Sequence, residues 1–414
     1  MRDILPPESA LWNRIERASR EIFAAYSYQE IRTPLVEVTE LFARGVGQDT
    51  DIVTKEMYTF EDRDGQSLTL RPEATASVVR SYIEHRMWEQ PGVKKFYYIG
   101  PMFRRERPQK GRYRQFYQIG AEAIGSESPT VDAELLEMLI ELLGRLDLTG
   151  YSLFLNSVGC AHCRPKYLET LRSELSKVSG QLCADCQRRS ETNPLRVLDC
   201  KVPQDQPIID QLPTILDLLC PECREHFERL QGYLRERQIP FTVRPRLVRG
   251  LDYYTRTTFE IVHGALGAQD SLLGGGRYDG LSEMLGGPAA PGIGFSIGED
   301  RFALALSQLA ESETNAAGSP LFIIWLGDAA YRCAAELARE LRARNVAVDL
   351  LADAVKLKKA LELASRLGVR HALLIGDQEL AEGKYPLRDM SQGTQKSVTK
   401  EELFEQFAGK GAQT

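Results

Sequence analysis

The sequence has no long run of apolar residues. None of its 414 residues lies in a stretch that approaches the roughly 18 consecutive apolar residues needed to cross a bilayer. Internal repeats and low-complexity tracts are also missing. These absences exclude a membrane-spanning chain and a repeat protein, and favour a globular cytoplasmic protein. The length predicts two or three domains.

Positive charge is not in general excess, since the formal net charge is -6. A polyanion such as a nucleic acid would therefore have to bind local basic patches. One such patch is clear: the stretch from Arg104 to Arg114 holds six Lys or Arg residues and a single acid, Glu106. Guanidinium groups bind phosphate through paired hydrogen bonds, so this loop is predicted to hold a phosphate-bearing ligand.

Cysteine is scarce outside one region, because seven of the eight cysteines fall between Cys160 and Cys223. Six of them form C-x-x-C pairs: Cys160/Cys163, Cys183/Cys186 and Cys220/Cys223. The first two pairs are separated by 19 residues and fit the spacing of a four-thiolate zinc site. The alternative is a set of reduced, partly buried thiols in a cytosolic protein. The spacing does not decide which pairs would join, and Cys200 would be left over.

Apolar periodicity outlines the secondary structure. Helical spacing predicts helices over Glu8 to Tyr26, Ala74 to about His85, and 129–147. Alternation predicts paired antiparallel strands at Phe96 to Ile99 and Phe116 to Ile119, joined by the basic loop. Further strands are predicted at Tyr28 to Pro34, Ser67 to Leu70, Phe259 to Val262 and Gly292 to Ile297. Beyond 320, strand and helix signals alternate as in a three-layer α/β unit.

The basic hairpin contains the residue types that bind a nucleoside triphosphate. Arg104 can hold an α-phosphate, Glu106 can orient the loop and the base, and the ring of Phe116 can stack on adenine. The glycines at 292, 294 and 298 do not have G-x-G-x-x-G spacing, so a dinucleotide-binding fold is not indicated.

These motifs resemble those of a known family. FRRERPQKGRYRQF is similar to motif 2 of class II aminoacyl-tRNA synthetases. LVRGLDYYTRTTFEI resembles the histidine-binding signature of the histidyl-tRNA synthetases, and GGGRYDGL with GIGFSIGEDRF resembles the remaining signature and motif 3. The likeness spans nearly the whole chain.

The resemblance implies the roles of the site residues. It makes Arg249 and Arg104 the catalytic cations at the α-phosphate. The implied ATP-binding residues are Arg104, Glu106, Arg112, Tyr113, Phe116 and Arg301. The implied histidine-binding residues are Glu73, Ala74, Thr75, Arg104, Gln118, Glu122, Arg249, Tyr253, Tyr254 and Tyr278. Arg107 and Gln109 would contact the acceptor end of the tRNA, and the six paired cysteines, Cys160, Cys163, Cys183, Cys186, Cys220 and Cys223, are the candidate zinc ligands.

The resemblance also implies the fold and the partners. We expect an α+β protein: an antiparallel class II catalytic core over 1–150 and 244–310, a helix-rich insertion over 151–243, a linker at 311–320 and an α/β anticodon-binding domain over 321–414. The expected reactants are ATP with Mg²⁺, L-histidine and tRNA(His), and the expected assembly is a homodimer. The alternative is a non-catalytic, synthetase-like regulatory subunit of histidine biosynthesis, although such paralogues usually lack motifs that this chain keeps.

Overall fold

The computed structural model describes residues 1–47, 50–106, 111–248, 253–267, 271–309 and 321–408. The chain divides into two compact units, Met1–Glu311 and Ser312–Thr414, each with its own apolar core. None of the helices in these ranges is long and apolar enough to cross a membrane. Arg249, the expected tRNA contacts Arg107 and Gln109, and the whole of the expected linker at 311–320 lie outside the described residues.

The helices of the first unit follow the apolar periodicity of the sequence. Helix α1, for example, buries Trp12, Ile15, Ile22 and Phe23 on one face. Helix α4 begins where the side chain of Ser128 accepts a hydrogen bond from the backbone N–H of Thr130. The described helices are α1 Glu8–Ala25, α2 Thr39–Val46, α3 Thr75–Glu84, α4 Pro129–Arg145, α5 Cys163–Val178, α6 Ala184–Thr192, α7 Gln206–Ile209, α8 Pro221–Glu236, α9 Leu281–Met284 and α10 Glu299–Leu309.

The strands of this unit form two sheets. The described strands are β1 Gln29–Glu30, β2 Val36–Val38, β3 Tyr58–Glu61, β4 Ser67–Leu70, β5 Lys94–Phe103, β6 Gln115–Ile124, β7 Tyr151–Ser157, β8 Thr242–Val243, β9 Thr255–His263, β10 Ser271–Arg277 and β11 Gly292–Gly298. The main sheet has the order β1-β5-β6-β11-β10-β9-β7-β8, antiparallel except at its two edge pairs. The small sheet has the order β2-β4-β3. This mixture of helices with a large antiparallel sheet confirms the predicted α+β class.

Alternation along the central strands divides the main sheet into two faces. On β6, Ile119, Ala121 and Ala123 join the core that α1, α4, α8 and α10 build with one face of the sheet. The intervening residues of β6, Gln118 and Glu122, point to the other face. Because β5 pairs with β6 and β6 with β11 in continuous register, that second face is a continuous floor.

Strand β10 was not predicted, because three of its seven residues are consecutive glycines. The sheet needs glycine there for steric reasons. A Cβ at Gly276 would lie 2.6 Å from the backbone oxygen of Thr257, and one at Gly275 would lie 2.7 Å from the ring of Phe259. The low strand propensity of glycine is therefore overridden by close packing against the neighbouring strand.

The cysteine-bearing stretch differs from the expected insertion at both ends. Tyr151–Ser157 is a strand of the main sheet, paired with β9, and not part of a helical module. Helix α8 packs through Phe227, Leu230 and Leu234 into the core of the main sheet. Between these two elements, α5, α6, α7 and several short turns surround a separate apolar cluster, which we call the cysteine lobe.

The second unit is a mixed α/β domain. Its described strands are β12 Leu321–Trp325, β13 Val348–Leu350, β14 His371–Ile375, β15 Tyr385–Asp389 and β16 Gln395–Val398, and its helices are α11 Asp328–Arg342, α12 Leu357–Arg366, α13 Asp377–Glu382 and α14 Lys400–Ala408. The sheet order is β13-β12-β14-β15-β16, with β12, β13 and β14 parallel and the last two strands antiparallel. The antiparallel pair β15 and β16 was not predicted from the sequence.

Candidate active site

A cavity of about 410 Å³ opens on this second face of the main sheet. It is lined by residues from the basic hairpin, the start of α3, and strands β10 and β11, which are far apart in sequence. Twelve of the residues proposed from sequence line it: Glu73, Thr75, Arg104, Glu106, Arg112, Tyr113, Phe116, Gln118, Tyr253, Tyr254, Tyr278 and Arg301. Two others, Ala74 and Glu122, are buried beside it without lining it.

Glu122 lies one layer behind the cavity wall. Its two carboxyl oxygens accept hydrogen bonds from the hydroxyls of Thr75 and Tyr278, each at 2.7 Å, and both of these residues line the cavity. Burial raises the pKa of Glu122 to about 8, against the opposing effect of these hydroxyl donors. When ionised, this carboxylate is acceptor-only, so both hydroxyl protons point to it and oxygen lone pairs are left facing the cavity.

Gly294 makes room for this carboxylate. A Cβ at that position would collide with the Oε2 atom of Glu122. The glycine of motif 3 therefore serves the packing of Glu122, rather than a turn, and a side chain there would displace the carboxylate from Tyr278.

Glu73 holds the beginning of α3 at the cavity wall. Its carboxylate accepts from the backbone N–H groups of Thr75 at 2.7 Å and of Ala76 at 3.0 Å. Burial raises the pKa of Glu73, and these backbone donors oppose the rise. A negative group at a helix N-terminus is stabilised by the helix dipole, so Glu73 fixes the position of Thr75.

Tyrosine rings enclose the same end of the cavity. Tyr253 contacts Tyr278 edge to face, with ring centroids 5.9 Å apart. The rings of Tyr253 and Tyr254 are tilted against each other, with centroids 4.9 Å apart. Burial raises the pKa of Tyr253 and of Tyr278 well above the ordinary value, so both remain neutral phenols at physiological pH. This end can surround a small planar ring while offering hydroxyl groups to its edge.

The opposite end is cationic and aromatic. The Arg104 guanidinium lies 5.3 Å from the centre of the Phe116 ring, and its Nε donates to the backbone oxygen of Pro72 at 2.8 Å. Glu106 accepts a hydrogen bond from Arg112 at 3.2 Å. These contacts hold a forked cation beside an aromatic face, which is an arrangement suited to a purine nucleotide.

Sequence reasoning missed several residues of the wall, among them Tyr98, Ser296, Asp51 and Arg196. The alternation of strand β5 could have indicated Tyr98. Asp51 and Arg196 form an ion pair of 3.1 Å between a loop and the cysteine lobe, 145 residues apart, and no local pattern signals such a pairing.

Asp300 is tied to the N-terminal segment. Its Oδ1 accepts from Arg2 at 3.0 Å, and its Oδ2 accepts from the backbone N–H of Tyr117 at 3.3 Å. The aspartate that follows Glu299 in motif 3 therefore joins the start of the chain, strand β6 and the cavity wall.

We predict that Glu299→Gln stabilises the protein increasingly as the pH rises. Glu299 is fully buried, and neither carboxyl oxygen has a hydrogen-bond partner among the described residues. Burial, together with the carboxylates of Glu16 and Asp300, raises its pKa from 4.5 to about 9, while Arg20 opposes the rise. The folded state therefore binds the proton more tightly than the unfolded state, and the wild type loses stability between these two pH values.

Denaturant unfolding of wild type and variant at pH 5.5 and pH 8.5 measures this effect. The stability of Glu299→Gln relative to wild type should rise by at least about 1.4 kcal/mol, the equivalent of one pKa unit. A relative stability that stays constant or falls over this range would show that Glu299 ionises normally in the folded protein.

The cysteines pair differently from the pattern that their spacing fits. Cys160 and Cys163 lie with Cys220 and Cys223, not with Cys183 and Cys186. The latter two lie instead with Cys200 and Asp205. In each group of four, the potential ligand atoms are all within 4.8 Å of one another. Spacing identified the cysteine pairs and left open which of them would join, because the helices of the lobe, and not the sequence interval, decide which pairs meet.

Comparisons with known proteins agree over nearly the whole chain. The family model described as Histidyl-tRNA synthetase matches residues 1–301, and the model described as Anticodon binding domain matches residues 321–410. A histidine-tRNA ligase from Solibacter usitatus is 61% identical over 403 residues, which cover 97% of this chain and 96% of the relative. One from Koribacter versatilis is 53% identical, with 99% and 95% covered. The crystal structure of apo histidyl-tRNA synthetase from S. aureus has a TM-score of 0.80 at 40% identity, with 99% and 98% covered.

Proposed function

Because the chain belongs to the histidyl-tRNA synthetase family, we propose that the cavity on its main sheet is the place where L-histidine and ATP react. The chain is an aminoacyl-tRNA ligase: it activates histidine as histidyl-adenylate and transfers the histidyl group to tRNA. The alternative of a non-catalytic regulatory subunit is not favoured, since the relatives at 61% and 53% identity are histidine-tRNA ligases. The main support for this proposal is a single cavity that is lined by tyrosines at one end and by arginines and Phe116 at the other.

The cationic end is the proposed ATP site. Arg104 would hold the α-phosphate, and Phe116 and Arg301 would enclose the adenine between an aromatic ring and a planar cation. Glu106, Arg112 and Tyr113 complete this end. Arg249 is proposed as a second cation at the α-phosphate, from the resemblance alone.

The tyrosine-lined end is the proposed histidine site. The lone pairs of Thr75, directed by Glu122, suit the α-ammonium group, and Glu73 adds negative charge beside it. Gln118, Tyr253, Tyr254 and Tyr278 would surround the imidazole, which carries a polar atom at each end of the ring. Ala74 would contact histidine through its backbone at the start of α3.

This placement would bring the histidine carboxylate to the α-phosphate for an in-line displacement, in which a bond to the α-phosphorus forms and pyrophosphate leaves. The protein contributes by positioning the two reactants and by stabilising charge at the α-phosphate through Arg104. Carboxylates of Glu106 and Asp300 on the cavity wall are the kind of oxygen donor that Mg²⁺ prefers. Bound there, Mg²⁺ would neutralise charge on the phosphates of ATP.

A structural zinc ion is proposed at the first cysteine group. The Sγ atom of Cys160 lies 3.8 Å from the Sγ atom of Cys163 and 3.8 Å from that of Cys220. The Sγ atoms of Cys163 and Cys223 are 3.9 Å apart. A tetrahedron with zinc-sulfur bonds of about 2.3 Å has edges of about 3.8 Å. The ion would fasten the start of α5 to the start of α8, and so the cysteine lobe to the main sheet.

The remaining proposals concern partners. The acceptor end of tRNA(His) would meet the basic hairpin, with Arg107 and Gln109 as base contacts, and the second unit would bind the anticodon loop. We also propose a homodimer, by analogy with class II cores, and a cytoplasmic location, where the eight free cysteines stay reduced.

Deleting residues 320–414 should separate the two half-reactions. The first unit has its own core and the whole described cavity, so histidine-dependent exchange of pyrophosphate into ATP should persist. Charging of tRNA should fall by about tenfold or more, because losing the second contact with the tRNA removes the benefit of bivalent binding. The two assays on one purified preparation check this, and unimpaired charging would contradict the anticodon assignment.

The direct test of the proposed function is pyrophosphate exchange by the full chain with each amino acid in turn. Exchange with histidine alone is the expected result. If no amino acid supports exchange, the regulatory role becomes the better explanation.

A further inference from the structure

The cysteine lobe contains a second group of potential metal ligands that the C-x-x-C pattern does not describe. Its members are Cys183, Cys186, Cys200 and Asp205. Cys183 is half-buried and the other three are buried. Spacing left Cys200 without a role, and nothing in the sequence singled out Asp205.

The contacts around Asp205 fix its carboxylate in an orientation in which it can serve as a metal ligand. It is fully buried, and the backbone N–H of Cys183 donates to its Oδ1 at 3.0 Å. Its Oδ2 lies 3.3 Å from the Sγ atom of Cys200. Hydrogen bonds of this kind orient ligands around a metal ion, and the thiol protons leave when the metal binds.

We infer that Cys183, Cys186, Cys200 and Asp205 bind a second zinc ion, separate from the four-cysteine site. Three thiolates and one carboxylate are all donors that zinc accepts, at bond lengths of about 2.3 Å for sulfur and 2.0 to 2.2 Å for oxygen. Four donor atoms within 4.8 Å of one another can reach such a tetrahedron with shifts of about an ångström. Four protein ligands close the site, so its role is structural.

The second ion would control a residue of the cavity. Arg196 lies in a 3-10 turn, Pro194–Val197, between the ligands Cys186 and Cys200. From there its guanidinium reaches Asp51 at 3.1 Å, and both side chains line the cavity proposed for ATP. The zinc ion joins the two ends of this segment and thereby positions Arg196. This consequence rests on the proposed function, whereas the metal site itself does not.

Zinc content of the full-length protein tests the site directly. Protein expressed with zinc and purified without chelators should contain two zinc ions per chain by elemental analysis. Cys200→Ser and Cys220→Ser should each reduce this to one, by emptying different sites. Cys333→Ser, which changes the cysteine of the second unit, is the matched control and should retain two.

A cobalt titration distinguishes the two donor sets where a variant folds poorly. The metal-free full chain, refilled with Co²⁺, should show thiolate-to-cobalt charge-transfer bands from both sites. Asp205→Cys should keep two ions and strengthen those bands, because it replaces an oxygen donor by a fourth thiolate, whereas Asp205→Ala should weaken retention of one ion. Equal cobalt retention by wild type, Asp205→Ala and Cys200→Ser would overturn the second site.

The metal counts separate this inference from the proposals above. One ion that survives Cys200→Ser but not Cys220→Ser leaves only the four-cysteine site. One ion that survives Cys220→Ser but not Cys200→Ser supports the second site and shows that the four-cysteine site holds no zinc. For the positioning role, Cys200→Ser and Arg196→Ala should raise the KM for ATP by a similar factor with little change in kcat, and an unchanged KM in both would refute it.

Discussion

Replacing Arg104 by alanine should lower histidine-dependent pyrophosphate exchange by roughly 100- to 1000-fold. This is the usual consequence of removing one donor that stabilises charge developing in a transition state, about 2.7 to 4 kcal/mol. The side chain is suited to that role because it lines the cavity, and because its Nε is held by the backbone oxygen of Pro72 at 2.8 Å. That contact engages Nε alone, while Nη1 lies 3.9 Å from a carboxyl oxygen of Glu106, which also lines the cavity.

The neighbouring Arg105 supplies a matched control. It belongs to the same basic loop, but its side chain is exposed and does not line the cavity. Arg105→Ala should therefore exchange pyrophosphate nearly as well as wild type. Arg104→Lys should recover only part of the loss, since lysine keeps the charge and lacks the fork. Equal effects of Arg104→Ala and Arg105→Ala would mean that Arg104 contributes only to the general positive potential of the loop.

The histidine affinity of Arg104→Ala separates binding from catalysis. If the arginine acts on developing charge, kcat falls much more than the affinity for histidine, which is measured by equilibrium binding without ATP. A comparable collapse of that affinity would place Arg104 in the amino-acid site instead.

The sequence predicted the parts of the site that depend on local patterns. The alternation on either side of the basic loop predicted the hairpin of β5 and β6, and the loop contains Arg104, Glu106 and Arg112 in a short interval. These elements are readable because strand period and charge density are properties of neighbouring residues. The resemblance to a known family then named the distant residues that meet them, such as Tyr278 and Arg301.

Long-range geometry could not be read in the same way. The two groups in the cysteine lobe are built by helices that bring Cys160 and Cys220 to 3.8 Å across 60 residues. Asp205 and Arg196 gain their roles only from that packing. Strand β10 was hidden because its glycines have low strand propensity and are selected by the neighbouring backbone. In each case, tertiary contact outweighs the local signal.

Glu122→Gln should weaken histidine binding, and the loss should grow as the pH rises through about 8. The wild-type carboxylate accepts hydrogen bonds from both Thr75 and Tyr278, so their lone pairs face the ligand. A glutamine of the same shape must donate to one of these hydroxyls, which reverses the direction of one hydrogen bond at the cavity wall. Hydrogen bonds that involve a charged group contribute about 1.5 to 3 kcal/mol, which corresponds to about 10- to 150-fold in affinity.

The pH dependence identifies the carboxylate as the cause. Because burial raises the pKa of Glu122 to about 8, its charged form is a minority at pH 6.5 and dominates at pH 9. The ratio of wild-type to Glu122→Gln affinity should therefore increase over that interval, while the titration of histidine itself cancels in the ratio. Glu127→Gln is the control, because Glu127 is exposed and does not line the cavity. It pairs with Arg256 at 3.4 Å. Equilibrium binding of histidine at both pH values supplies the comparison. A ratio that does not change with pH would mean that Glu122 acts through its shape alone, since the hydroxyl orientation proposed for Thr75 and Tyr278 requires its charge.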